Sequence, residues 1–264
     1  MYYQQGNYPQ AQQMMGQFYA PEPWKKGECL PTKEEEIRAL NLTGLINIEQ
    51  SHYGKAEQQL CQAVQLSEMV FGMVHPSTAQ SVNNLALALS RQGRYGEAQP
   101  LFEWALAINK SVFGAEHPNT ARSVNNLASV LERQGQYAEA QPLFEWALAI
   151  NKSVLGAEHP DTTMSVNNLA SVLVQQGRYA EAQPLFEWAL AINKSVLGAE
   201  HPNTATSVNN LAGVLVQQGR YAEALPLFEW ALAVREMVLG AAHRHTQETR
   251  ENIAALRAAM KADN

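Results

Sequence analysis

The dipeptide His-Pro recurs at His75, His117, His159 and His201, each 42 residues after the last, and His243 continues the series without its proline. A fixed period of this length is the mark of a repeat architecture, in which no unit holds a core of its own and stacked neighbours make one. The array divides into five units, 33–74, 75–116, 117–158, 159–200 and 201–242. Residues 1–32 precede it and residues 243–264 follow it. Units 117–158 and 159–200 differ at only six positions (119, 121, 122, 132, 133 and 136), so one local structure must serve both. The first unit is the most divergent: it keeps Tyr53, Gly54, Ala56 and Glu57 but lacks His-Pro.

Each unit predicts two helices. In 117–158, Pro118 suits a first helical turn, where its missing N–H costs nothing. Val124, Leu127, Ala128 and Leu131 then fall at i, i+3, i+4 and i+7, an amphipathic stripe that Gly135 ends. A second helix is expected from Tyr137 through Leu155, stopped by Gly156, with Pro142 near its start. That helix is apolar almost all round. Phe144, Ala147 and Leu148 form one stripe and Leu143, Trp146 and Ile150 another, which leaves Glu145, Ala149 and Lys152 as a thin outer strip. Two apolar stripes mean a helix held between neighbours. Four-stranded propeller blades share the period, but the 3.6-residue periodicity and the lack of a Trp-Asp dipeptide exclude them.

Composition removes several function classes. Nineteen basic against 25 acidic residues give a net charge of −6, a poor match to a nucleic-acid coat. Two cysteines, Cys29 and Cys61, and two aspartates, Asp161 and Asp263, cannot supply a disulfide framework, a zinc site or paired-aspartate chemistry. No apolar run is long enough to span a bilayer, and residues 1–20 lack the features of a secretory leader, so a cytoplasmic protein is expected.

The pattern Leu127-Ala128, Tyr137, Ala140, Phe144 and Ala147 resembles the tetratricopeptide repeat. The 42-residue period, with the Asn-Asn-Leu-Ala, Gln-Gly-x-Tyr-x-Glu-Ala and Gly-x-x-His-Pro segments, is similar to its kinesin-light-chain type. The heptad region of kinesin light chains has no counterpart in residues 1–32. The resemblance implies an all-α, right-handed α-solenoid of stacked antiparallel helix pairs. It also implies that the first helix of each unit lines a concave groove that binds a peptide segment of another protein. By motif matching, the groove positions are Gln80, Asn84, Leu87 and Arg91; Arg122, Asn126, Ser129 and Arg133; Met164, Asn168, Ser171 and Gln175; and Thr206, Asn210, Gly213 and Gln217.

The helical wheel agrees independently. Positions 122, 126, 129 and 133 form a row opposite Val124, Leu127 and Leu131. Five of the six differences between the near-identical units fall in the first helix and none in the second. Arg91, Arg122 and Arg133 make the N-terminal half of the row basic, while Met164, Val174, Thr206 and Val216 make the other half neutral. An acidic or acidic–aromatic peptide is the expected ligand, held by Arg forks. The amides of Asn84, Asn126, Asn168 and Asn210 either meet that peptide or bond between repeats. The neighbouring ladder of Asn83, Asn125, Asn167 and Asn209 is expected to be structural.

Other conspicuous residues have plainer roles. One His per repeat places His75, His117, His159 and His201 too far apart to share a metal, so packing at the helix start is expected of them. His243 and His245 alone make a weak local pair. Trp104, Trp146, Trp188 and Trp230 either pack between repeats or offer a surface for self-association. In the first unit their place is taken by Gln62. Lys110, Lys152 and Lys194 are expected in solvent. Residues 1–32, rich in Gln, Tyr and Pro, are expected to be disordered, with Phe18–Trp24 as a segment able to dock in a basic groove. Residues 243–264 are expected to form a capping helix. The expected function is thus a non-enzymatic adaptor, with a self-associating scaffold as the alternative and no cofactor, metal, nucleic acid, membrane or small-molecule substrate. No nucleophile, base and oxyanion donor converge at one place.

Overall fold

The computed structural model describes residues 32–262, so the expectations for the preceding tail lie outside the described residues. Eleven helices account for nearly all of this span: α1 (Lys33–Glu49), α2 (Tyr53–Phe71), α3 (Pro76–Arg91), α4 (Tyr95–Phe113), α5 (Pro118–Arg133), α6 (Tyr137–Val154), α7 (Pro160–Gln175), α8 (Tyr179–Leu197), α9 (Pro202–Gln217), α10 (Tyr221–Leu239) and α11 (Arg244–Ala262). They fall into two compact units, residues 32–143 and 144–262. In the first, each helix from α1 to α5 packs on the next, and α1 also touches α3. In the second, α7 to α11 pack in the same consecutive manner.

The repeated His-Pro is a helix start. The Nδ1 atoms of His75, His117, His159 and His201 each accept the backbone N–H two residues on, at 3.1 Å, satisfying one of the orphan donors of the first turn. Proline occupies the first helical position behind each of them. The first helices α3, α5, α7 and α9 end in a left-handed glycine, and α1 in Ser51 (φ 60°). At Gly93 (φ 78°) the Arg94 N–H bonds back to Leu89 O and the Gly93 N–H to Ser90 O, a closure only an achiral residue makes without strain.

Two side-chain bonds then fix the second helices α2, α4, α6 and α8 to the first helices that follow. Thr78, Thr120, Thr162 and Thr204 donate to the carbonyls of Gly72, Gly114, Gly156 and Gly198, at 2.7–2.8 Å. Asn109, Asn151 and Asn193 donate to Ser123, Ser165 and Ser207, at 2.8–3.0 Å. These asparagines and serines are buried, so the bond forms where water cannot compete. Ser67 and Ser81 meet in the same way at 2.9 Å. At the last joint Arg235 replaces the asparagine, with its guanidinium on Thr249 Oγ1, His245 O and Thr206 Oγ1.

The expected α5 stripe is buried throughout, at Val124, Leu127, Ala128 and Leu131, whereas of the two α6 stripes Leu143, Phe144, Ala147 and Ile150 are buried and Trp146 and Leu148 only half-buried. Glu145, Ala149 and Lys152 are exposed. The proline departs from expectation, since Pro100, Pro142, Pro184 and Pro226 lie inside their helices, six residues in. For Pro142 the carbonyl deprived of its donor belongs to Ala138, an exposed residue, so solvent can replace the lost bond.

One carboxylate strains against this packing. Glu68 Oε1 in α2 is buried without a hydrogen-bond partner, and burial raises its pKa above the usual carboxylate range. A raised folded-state value makes its contribution favourable below the unfolded pKa and lost as pH rises through the folded one. Glu68→Gln, which is neutral at every pH, is therefore expected to be more stable than the parent at pH 7. The gain should vanish under acid conditions, where both side chains are uncharged. Urea melts of both proteins across the acid range check this.

Candidate binding surface

The first helices α3, α5, α7 and α9 each carry a row of side chains at the positions that the motif matching marked. In residues 32–143 this row comprises Gln80, Asn84, Leu87 and Arg91 on α3, and Arg122, Asn126, Ser129 and Arg133 on α5. Gln80, Arg91, Arg122 and Arg133 are exposed, and Leu87 and Ser129 are half-buried. The row is therefore open at both ends of each helix and shallow at its middle. In residues 144–262 the pattern repeats. Met164 and Gln175 on α7 and Thr206 and Gln217 on α9 are exposed, while Asn168, Ser171, Asn210 and Gly213 are half-buried.

The asparagines need correction. Asn84 is only 6% exposed and its Nδ2 donates to Asn41 Oδ1 at 2.8 Å. Asn126 Nδ2 donates to Asn83 Oδ1 at 2.6 Å. Both amides tie a first helix to the one before it, so Asn84 is withdrawn as a groove contact and the nitrogen of Asn126 is already committed. Neighbouring first helices lie close enough for side chains to meet directly, and a short polar residue at mid-helix meets its neighbour before it meets solvent. Two outer positions are also engaged. Thr206 Oγ1 donates to Pro202 O and accepts from Arg235, and Gln217 Oε1 accepts from the Tyr179 hydroxyl at 3.4 Å.

The arginines separate into two groups. Arg94, Arg178, Arg220, Arg244, Arg250 and Arg257 all pair with glutamates. Arg94 bridges Glu57 and Glu97, which holds the Glu97 carboxyl below its usual range. Arg235 is buried on its three oxygen partners. Arg38, Arg91, Arg122 and Arg133 have no hydrogen-bond partner among the described residues, and all four lie on first helices of the 32–143 unit. Those on α3 and α5 flank the exposed ends of the row.

The remaining ladders serve packing. The histidines are helix caps, as above, and Phe71 and Phe113 stack on His75 and His117 with ring centroids 4.5 Å apart. Trp104 is buried, Trp146, Trp188 and Trp230 are half-buried, and Lys152 Nζ lies 5.3 Å from the Trp188 ring centroid. Burial pushes the Cys61 thiol up to about 11, which leaves it an inert core residue. Among the described residues no group of three or more His, Cys, Asp or Glu is placed to hold a metal ion, and no helix is long and apolar enough to cross a membrane. The Asn–Ser joints were not foreseen. Their only signal in the sequence is the repeated company of Asn109, Asn151 and Asn193 with a serine fourteen residues later.

Stacked helix pairs with first-helix faces left open define an α-solenoid of the interaction-scaffold class. The tetratricopeptide repeat family model matches residues 77–153, 122–195 and 161–237. The chain belongs to the tetratricopeptide repeat family. Among solved structures it is similar to a Podosopora anserina protein described as a kinesin light chain with nearly identical TPR-like repeats, at 28% identity and a TM-score of 0.68, over 80% of this chain and 99% of that one. BtubC (BKLC) from P. vanneervenii shares the fold at 20% identity and a TM-score of 0.63, over 88% of this chain and 85% of that one. So does a Rap protein complexed with competence and sporulation factor, at 15% identity and a TM-score of 0.65, over 86% of this chain and 66% of that one. No curated protein matches the sequence. The repeat arrangement is thus that of a kinesin-light-chain-like protein–protein interaction module.

Proposed function

We propose that the chain is a non-enzymatic adaptor that holds an acidic segment of a partner protein against the first helices of the 32–143 unit. The observation that carries this reading is the unpaired state of Arg91, Arg122 and Arg133. Seven other arginines have found carboxylate, hydroxyl or carbonyl partners within the chain. A net charge of −6 leaves ample glutamate for more pairs, yet these three stand exposed on one row. Planar guanidinium forks with open donors suit carboxylates in two-point contact. Exposed Gln80 and half-buried Ser129 add polar contacts that read no particular side chain. In the 144–262 unit the equivalent row offers Met164, Gln175 and Gln217, which suits an apolar or neutral stretch of ligand.

The test is a peptide-display selection on the full chain, repeated with Arg122→Glu plus Arg133→Glu. Acidic peptides should be enriched by the parent. The double variant is expected to bind the winners at least ~10-fold more weakly, because two forks become two repulsive carboxylates. Parent affinity should also fall as salt screens the exposed pairs. No enrichment, or a variant that binds as the parent does, would remove the proposal.

A further inference from the structure

The first helix differs from all later first helices in what it leaves open. On α1 the side chains of Ala39, Leu42, Thr43 and Ile46 are exposed, Leu42 by 61% and Ile46 by 46%. Their counterparts one repeat later, Ser81, Asn84, Leu85 and Ala88, are buried at 6% exposure or less. Two of those counterparts face the preceding pair: Ser81 and Asn84 bond to Asn41 of α1, and Ser81 also meets Ser67 of α2. The open face of α1 thus corresponds to the surface by which α3 docks on the helices before it. It has kept apolar side chains where a solvated terminus would carry polar ones.

The charges around this face suggest its occupant. Arg38 lies one turn before Leu42, and Glu49 lies about one turn after Ile46. Both are exposed, and neither has a hydrogen-bond partner among the described residues. The stripe reads basic, apolar, apolar, acidic. Reversing the helix direction about a point near Gly44 exchanges Leu42 with Ile46 and Arg38 with Glu49, so the stripe is complementary to itself in antiparallel register. A head-to-tail stack lacks this match, because the exposed side chains of the last helix, α11, include Glu251, Ala254, Arg257, Ala258 and Lys261. We propose that α1 of one copy packs antiparallel on α1 of a second copy, with Leu42 against Ile46 and Arg38 against Glu49, to form an isologous dimer. One helix against one helix falls near or below the ~1,200 Å² of a standard interface, so association in the micromolar range is expected.

Sedimentation equilibrium of the full chain over a wide concentration range tests this. The mass should rise from monomer toward dimer with concentration. Leu42→Glu plus Ile46→Glu should remain monomeric while keeping the parent's circular dichroism, since both positions are exposed. Arg38→Glu and Glu49→Arg should each weaken the dimer by roughly 10-fold, because either change sets two like-charged pairs across the two-fold. An equimolar mixture of these two single variants should recover association, because a heterodimer of them restores both opposite-charge contacts. A parent that is monomeric throughout overturns the proposal. So does association that survives the double glutamate variant, or a mixture that associates no better than its components. A monomeric parent in which Leu42→Glu lowers the melting temperature would instead assign the face to residues 1–31 of the same chain, and the dimer would be withdrawn.

Discussion

Phe228→Ala is expected to remove about 3–5 kcal/mol from the stability of the 144–262 unit, the usual range for an aromatic ring lost from a core that relaxes only partly. Phe228 is 3% exposed and lies in a cluster with Ala212, Leu215, Ala224, Ile253 and Leu256. That cluster joins α9, α10 and α11, and α11 is the last of the described helices. In a stacked array each element depends on its nearest neighbours, so the loss should be felt first at the end. Hydrogen exchange followed residue by residue checks this. The amides of α11 should lose protection by orders of magnitude, while those of α7 and α8 should change far less. Equal loss throughout the unit would show that the array unfolds as one body.

Gly44→Ala is expected to destabilise the 32–143 unit by about 1–3 kcal/mol, through overpacking rather than loss of contact. A Cβ at Gly44 would lie 2.6 Å and 2.7 Å from two carbons of Leu60, a fully buried side chain with nowhere to move. Alanine is the better helix former, so propensity alone predicts the opposite sign, by about 1 kcal/mol. The later repeats carry alanine and phenylalanine at these two places: Ala86 and Phe102, Ala128 and Phe144, Ala170 and Phe186, Ala212 and Phe228. The double change Gly44→Ala with Leu60→Phe should therefore be less destabilised than the sum of its single changes. Chemical melts of the four proteins in this cycle measure the coupling. A Gly44→Ala protein as stable as the parent would mean that α1 and α2 pack less tightly than the structure has them.

A repeat sequence discloses the direction of its side chains more readily than the distances between them. The helix pairs were legible because apolar residues recur at 3.6-residue spacing four times over, and Pro118, Gly135 and Gly156 mark the bounds. The exposed ends of the first-helix row, Gln80, Arg91, Arg122 and Arg133, were legible because a wheel gives direction. It does not give distance. Asn84 points along the same row, yet α1 stands close enough for Asn41 to reach it. The cap formed by His117 was hidden for another reason: histidine is seldom named as a cap, and only the placement of Nδ1 against the Asn119 N–H reveals it. The unpaired state of the row arginines could not be read from charge counts, because it depends on where each glutamate sits in space.

The bond from a second-helix asparagine to a serine fourteen residues on has a consequence for the array as a modular object. Asn109 meets Ser123, Asn151 meets Ser165 and Asn193 meets Ser207 with the same atoms at nearly the same length. Each junction therefore presents an interchangeable fitting. Excising residues 117–158 would bring Asn109 to Ser165, which is the partner it already has under another number. The chain can thus change length by whole units without inventing a junction. Uniform fittings also admit mistakes, since one unit can close on the wrong equivalent of its neighbour. The Ser67–Ser81 and Arg235–Thr249 junctions use different parts, and so cannot exchange with the three uniform ones.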